Sequence, residues 1–267
     1  MIQIETITEN DLDEIRKLQP EGWSDIIPDI KFYLKYPCCN PIKATANGKI
    51  VGIGTSIIFD HTAWSAHIIV GSAYRNKGIG GQIVNYLLET IRENLIETCL
   101  LIATDLGKPV YIKAGYKVVS EYLFFQRVKP WKACTVSKNV VSFKEEYRSI
   151  IYELDKKISG ENRKALLCDF LENSILYVDK ETVQGYFIPD LKEGLIFATT
   201  QEAGLELMKL KYSKVDKAVL PSENKVGCEF LTQHGFIQTK LGTRMIYGKE
   251  IAWEPTMIYS RIGGNLG

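Results

Sequence analysis

Between Ile68 and Gly81 the chain reads Ile-Ile-Val-Gly-Ser-Ala-Tyr-Arg-Asn-Lys-Gly-Ile-Gly-Gly: an apolar, β-branched run, then a short loop holding Arg75, Gly78, Gly80 and Gly81. Beyond it, Ile83, Leu87, Leu88 and Ile91 recur at helical spacing, with Gln82, Asn85, Glu89 and Arg92 on the other face. The glycines therefore fall where a strand ends and a helix begins. The first N–H groups of a helix have no intrahelical partners, and the helix dipole makes that end electropositive. Without a Cβ at Gly78 and Gly80, an anion can approach the main chain closely. The pattern reads as a cradle for a diphosphate. It is not a P-loop, which ends in Gly-Lys-Ser/Thr. Nor is it a dinucleotide fingerprint, because Gly78-Ile79-Gly80-Gly81-Gln82-Ile83 lacks the third glycine.

What remains, Arg-x-x-Gly-x-Gly after a strand, resembles the acyl-coenzyme A loop of the GNAT N-acetyltransferases, Val-x-Pro-x-x-Arg-x-x-Gly-x-Gly. Val70, Arg75, Gly78 and Gly80 take the matching places, and Ser72 stands where proline is usual. A second GNAT-like element follows the apolar run Cys99–Ile102. Tyr111 and the pair Gly115-Tyr116 fit its Tyr-x-x-x-Gly-Phe/Tyr ending, and Asp105 lies where many members have Asn. The resemblance implies acetyl-CoA as cosubstrate. Backbone atoms of Ile68, Ile69 and Val70 would meet the pantetheine arm, where two parallel strands splay apart. Arg75, Asn76, Lys77, Gly78, Ile79, Gly80 and Gly81 would hold the diphosphate, with Asp105 nearby. Tyr111 would assist the departing thiolate, since a phenol with a pKa of about 10 stays protonated at neutral pH. Transfer would be direct, without an acyl-enzyme. Trp23 and Ser24 fall where the acceptor pocket lies. The general base stays open between His67, Asp25, Asp29 and water.

At 267 residues the chain has room for one large or two ordinary domains. Its 45% hydrophobic and 24% charged content is that of a globular protein. A net charge of +1 offers no field for nucleic acid or a membrane surface. No apolar run reaches a membrane-spanning length of about 18 residues, and Met1–Ile7 reads as a first strand, so a cytoplasmic location is expected. Six cysteines without a Cys-x-x-Cys pair, and three histidines, argue against a structural zinc site or any other metal. Cys99 and Cys168 sit in apolar segments and are expected to pack as small hydrophobes.

The first half is expected to run strand, two helices broken at Pro20-Glu21-Gly22, and a hairpin at Asn47-Gly48. The loop-bearing strand and its helix follow, then the Tyr111 helix and two strands near 117–119 and 122–126. Residues 127–139 read as a connector in which Trp131 packs across a domain boundary. The second half repeats this grammar, with helices near 143–157 and 161–172. Asn224, Phe230 and Gly235-Phe236 mirror Asp105, Tyr111 and Gly115-Tyr116. It has no glycine loop: the corresponding stretch, Phe197–Gly204, carries Glu202, and Phe230 cannot donate a proton. This half also resembles the C-terminal domain of tandem acetyltransferases of the holothin acyltransferase group. The match is carried by Leu154-Asp155, Gly160-Glu161-Asn162-Arg163, Leu166-Leu167, the 224–236 segment, and Thr243-Arg244-Met245 with Gly248.

The expected fold is thus α/β with a mixed sheet: two tandem GNAT domains, the second degenerate. The catalytic domain is placed at 1–128, a linker at 129–139 and the degenerate domain at 140–267. The expected activity is acetyl transfer to a primary amine of a small molecule, with no nucleic-acid or membrane partner and homodimerisation left open. The alternative is an acyl-CoA-binding sensor or scaffold without turnover.

Overall fold

The computed structural model describes residues 2–131 and 134–266; part of the expected connector, Lys132 and Ala133, lies outside them. The chain runs β1 (Gln3–Thr6), α1 (Leu12–Arg16), α2 (Ile27–Lys35), β2 (Cys39–Ala46), β3 (Lys49–Phe59), β4 (Thr62–Val70), α3 (Ile79–Glu93), β5 (Thr98–Ala103) and α4 (Lys108–Lys113). It continues β6 (Lys117–Arg127), β7 (Val140–Ser142), α5 (Arg148–Ser159), α6 (Lys164–Leu167), β8 (Ile175–Asp179), β9 (Thr182–Ile188) and β10 (Leu195–Ala198). The last elements are α7 (Gln201–Tyr212), β11 (Lys217–Pro221), α8 (Lys225–Gln233), β12 (Phe236–Gly248) and β13 (Ile258–Ser260). The fold is mixed α/β. Among the described residues no helix is long and apolar enough to cross a membrane.

The chain divides into two compact units. The first holds the residues up to Lys117 together with Met245–Glu250 and Leu266; the second holds Val118–Arg244 and Ile251–Asn265. These bounds differ from the expected 1–128 and 140–267 because strands are exchanged. The strand that follows α4 falls in the second unit, and the end of β12 falls in the first. The segment expected as two strands, 117–119 and 122–126, is one strand, β6. Its polar middle is satisfied where Ser120 Oγ donates to Glu223 Oε1 at 2.8 Å. Trp131 stacks on His234 at 4.7 Å, inside the second unit.

In the first unit the sheet order is β1-β2-β3-β4-β5, followed by the end of β12. Asn47 (φ +50°) and Gly48 (φ +73°) make the tight hairpin between β2 and β3. Gly52 and Gly54 on β3 have no Cβ because α3 lies against them. A Cβ on Gly54 would fall 2.7 Å from Ile83 and 3.1 Å from Leu87. Ile83, Val84, Leu87, Leu88 and Ile91 are all buried, so the apolar stripe read from the sequence is the core face of α3.

The second unit contains the sheet β13-β10-β9-β8-β7 and the three strands β12-β6-β11. Its series β8, β9, β10, α7, β11, α8 repeats the order of β2, β3, β4, α3, β5, α4. Helix α6 is shorter than the expected 161–172, because Gly160 (φ +77°) ends α5 and Glu161 and Arg163 turn inward. The turn lets Arg163 donate Nε and Nη2 to Asp155 at 2.8 to 3.0 Å, with both side chains buried. Cys99 is buried as expected, whereas Cys168 is exposed on a short 3₁₀ turn.

β13 has no counterpart in the first unit. It pairs antiparallel with β10, and Asn224 Nδ2 donates to Ile258 O at 2.8 Å. Arg261 forms a two-point pair with Glu193, 2.9 Å at each contact. The Tyr259 ring lies flat against Gly204 of α7, where a Cβ would fall 2.3 Å from the ring. Helix propensity alone makes Gly204→Ala stabilising. Packing reverses the sign: the buried ring cannot yield, so we expect a loss of about 1–3 kcal/mol, read as a lower denaturation midpoint at unchanged slope.

Candidate functional site

The centre of the first unit is the divergence of β4 from β5. They pair in parallel at only three positions, Thr62 with Thr98, Ala63 with Cys99 and Trp64 with Leu100. From Ser65 onwards β4 keeps β3 on one edge and has left β5 on the other. Main-chain groups along such an edge need partners from elsewhere. Tyr116 closes the fork: its hydroxyl lies 3.0 Å from Ser65 Oγ on β4 and 3.1 Å from Cys99 Sγ on β5. Ile68, Ile69 and Val70 occupy the diverging stretch.

Helix α3 starts at the end of this stretch. Gly78 is its N-cap in a left-handed conformation (φ +77°, ψ −1°), and no side chain caps the helix. Asn76 (φ +60°) shapes the same loop. Cβ atoms built on Gly78 and Gly81 would meet nothing within 4 Å, and one on Gly80 would touch only Val70, at 3.7 Å. The amides of Ile79, Gly80 and Gly81 begin a helix that no side chain caps. Arg75 Nε donates to Val70 O at 3.2 Å and Lys77 Nζ to Ala73 O at 3.2 Å, so both side chains fold back over the loop. Asp105 is exposed in the turn before α4, whose first residue carries no side-chain cap.

Tyr111 lies in α4. Part of its ring is exposed, yet its surroundings are dense enough that desolvation pushes the hydroxyl up to about 12. The ring meets Tyr116 edge-on at 5.9 Å. It also covers Gly107, where a Cβ would fall 2.9 Å from Cε2. That glycine, which the sequence reading did not single out, gives Tyr111 its place.

Trp23 and Ser24 are exposed in the loop between α1 and α2. The loop is held by Gln19, whose Nε2 donates to Trp23 O at 3.0 Å and Ser24 O at 2.6 Å, while its Oε1 accepts from Ile26 N at 3.1 Å. Trp23 meets the ring of His67 edge-on at 6.2 Å. His67 sits on a β-bulge in β4: Ile53 pairs with Ile69 and Thr55 with Ala66, so Gly54 alone opposes His67 and Ile68. The bulge gives His67 φ +45°. It turns the ring towards Tyr33 of α2, with Tyr33 Oη and His67 Nδ1 2.6 Å apart, while Ile68 packs with the α3 face.

In the second unit the equivalent places are filled. Thr200 caps α7, its Oγ1 accepting from Ala203 N at 3.3 Å. Glu202 sits in the first turn, with its Oε1 accepting from Tyr177 Oη at 2.6 Å. β13 lies along β10, on the edge that β4 leaves open in the first unit. Among the described residues no group of three or more His, Cys, Asp or Glu is placed to hold a metal ion.

Comparison with known proteins agrees with this geometry. Residues 40–118 match the acetyltransferase (GNAT) domain family. A candidate acetyltransferase from Pyrococcus horikoshii superposes with a TM-score of 0.83 at 19% identity, covering 100% of this chain and 96% of that one. GCN5-related N-acetyltransferases from Sphaerobacter thermophilus (TM-score 0.64, 12% identity, 96% and 98% coverage) and Anabaena variabilis (0.59, 14%, 92% and 72%) share the fold. No curated protein matches the chain. Residues 40–118 thus match a GNAT acetyltransferase domain, and acyl transfer from an acyl-CoA donor is the activity that this match supports.

Gly81→Asp separates stability from ligand binding. A carboxylate in the first turn of α3 suits the helix dipole, and a Cβ at this position meets no atom within 4 Å. It also places negative charge where a diphosphate would sit. We expect unchanged or slightly raised thermal stability and at least a roughly tenfold loss of coenzyme A affinity by calorimetry.

Proposed function

We propose that the protein is an N-acetyltransferase moving the acetyl group of acetyl-CoA to a primary amine of a small molecule, with the chemistry in the first unit. The observation that carries this reading is the α3 N-terminus. It is open, begins on left-handed Gly78, and lies at the end of a strand whose outer edge has left its neighbour.

Ile79, Gly80 and Gly81 offer amides to the diphosphate, and the loop cations Arg75 and Lys77 stand beside it. Ile68, Ile69 and Val70 offer main-chain groups to the pantetheine, and Asp105 flanks the entrance. The acceptor enters past Trp23 and Ser24. Its nitrogen lone pair forms the C–N bond to the acetyl carbon, the C–S bond breaks, one N–H bond of the amine breaks to release a proton, and the sulfur takes a proton. Tyr111 supplies or shares that proton; its raised pKa keeps it a donor across the working pH range. No covalent acyl-enzyme is formed. The small net charge suits a small amine better than a strongly basic protein tail. The second unit, with Thr200, Glu202 and β13 in the equivalent places, serves as a degenerate companion.

Thiol release with a panel of amines tests this. Tyr111→Phe is expected to lower kcat by about 10²-fold while calorimetric affinity for acetyl-CoA stays within about twofold. Tight binding with no turnover on any amine would instead make the protein a sensor.

A further inference from the structure

We propose that the first unit holds a second ligand site, a cavity beside the turn that leads from β4 towards α3, and that it takes a small monocarboxylate with an apolar body. Its occupancy is coupled to coenzyme A binding; that coupling, unlike the cavity itself, rests on the acetyl-CoA reading above.

The cavity measures about 320 Å³, within the roughly 300–1,000 Å³ typical of small-molecule pockets. It lies between the end of α1, the first residues of β3 and the turn at residues 71–74, all in the first unit. Its inner part is apolar. Leu18 and Ile50 are buried, and Tyr74 packs against the apolar cluster under α3. A Cβ on Gly71 would fall 3.0 Å from Leu18 Cδ2 and 3.3 Å from Tyr74 Cδ2, so glycine lets these two side chains approach the chain closely.

The rim is cationic. Lys17 and Lys49 are exposed, and among the described residues neither forms a hydrogen bond or an ion pair. Their neighbours are engaged: Arg16 pairs with Asp25 at 3.1 Å, Lys43 with Asp11 at 2.7 Å, and Lys77 Nζ donates to Ala73 O at 3.2 Å. The lining also holds one carboxylate, Glu14, whose Oε1 accepts from Ile50 N at 2.8 Å. Two ammonium groups against one carboxylate leave the lining at +1, which a monoanion matches. An aryl carboxylate sets its ring on Leu18 and Tyr74 and its charge among the lysines.

The turn also touches the loop that precedes α3. Ser72–Tyr74 form a 3₁₀ turn that runs straight into Arg75. Lys77 Nζ, besides bonding Ala73 O, stands 5.6 Å over the Tyr74 ring. An anion against Ala73 and Tyr74 draws Lys77 towards itself and adds negative charge beside the proposed diphosphate seat. Both effects oppose coenzyme A. Solvent screens them, so the antagonism is partial, and by linkage coenzyme A weakens the anion by the same factor.

Calorimetry on the full chain tests this, with benzoate as probe and benzylamine as a cationic control of similar size. We expect heat from benzoate and none from benzylamine. The double variant Lys17→Glu/Lys49→Glu should weaken benzoate at least roughly tenfold. Its thermal midpoint should stay that of wild type, because both side chains are exposed and unpaired. In titrations of coenzyme A at rising benzoate, the apparent Kd should climb about threefold and then level off. No heat from benzoate, equal heat from both probes, or undiminished benzoate binding in the double variant overturns the site. A coenzyme A Kd that rises in proportion to benzoate without levelling overturns it as well, by making the cavity part of the nucleotide seat. A Kd that does not move overturns the coupling. Wild-type protein that binds benzoate but no coenzyme A keeps the cavity and overturns the acetyl-CoA reading, and the coupling with it.

Discussion

A helix that starts without a cap has amides that something else must satisfy. That requirement organises the first unit. Gly78 turns the chain through a left-handed conformation so that α3 begins abruptly, and no side chain folds back to close it. A capping hydroxyl or carboxylate at such a position commonly contributes about 1 kcal/mol, and α3 forgoes it. The rest of the unit keeps this helix start in place. Gly52 and Gly54 let α3 lie close on β3, and the folded-back Arg75 and Lys77 brace the loop.

The internal repeat supplies a control within one chain. α7 begins as α3 does, at the end of a strand, yet Thr200 closes it and Glu202 adds negative charge. The open strand edge has been filled as well, since β13 hydrogen-bonds to β10 and is anchored by Asn224 and the Arg261–Glu193 pair. Lys211 belongs to this seal. It donates to Gly194 O at 2.9 Å and to Ser260 Oγ, and burial pulls its pKa down to about 7. One architecture therefore presents two outcomes: α3 starts uncapped beside a strand edge that has left its neighbour, whereas α7 is capped and β10 is paired with β13.

Local chemistry made much of this legible in the sequence. The strand–glycine loop–helix passage shows itself through the change from β-branched residues to helical spacing, and Asn47-Gly48 marks its hairpin unaided. What was not legible depends on residues distant in the chain. Nothing around His67 signals a bulge, because the left-handed residue there is neither Gly nor Asn. Its partners Tyr33 and Asp29 lie more than thirty positions upstream. Gln19 shows no sign in the sequence that it clamps the Trp23 loop. β6 read as two strands because Ser120-Glu121 looks like a break until Glu223 is seen to receive the serine hydroxyl. The strand exchange was hidden because pairing partners, not strand sequences, decide unit membership.

The most direct test is a crystal structure of the protein soaked with coenzyme A. The account predicts one ligand per chain, with diphosphate oxygens within hydrogen-bond distance of the amide nitrogens of Ile79, Gly80 and Gly81. A diphosphate bound at the start of α7, or anywhere away from the Gly78 turn, would contradict it.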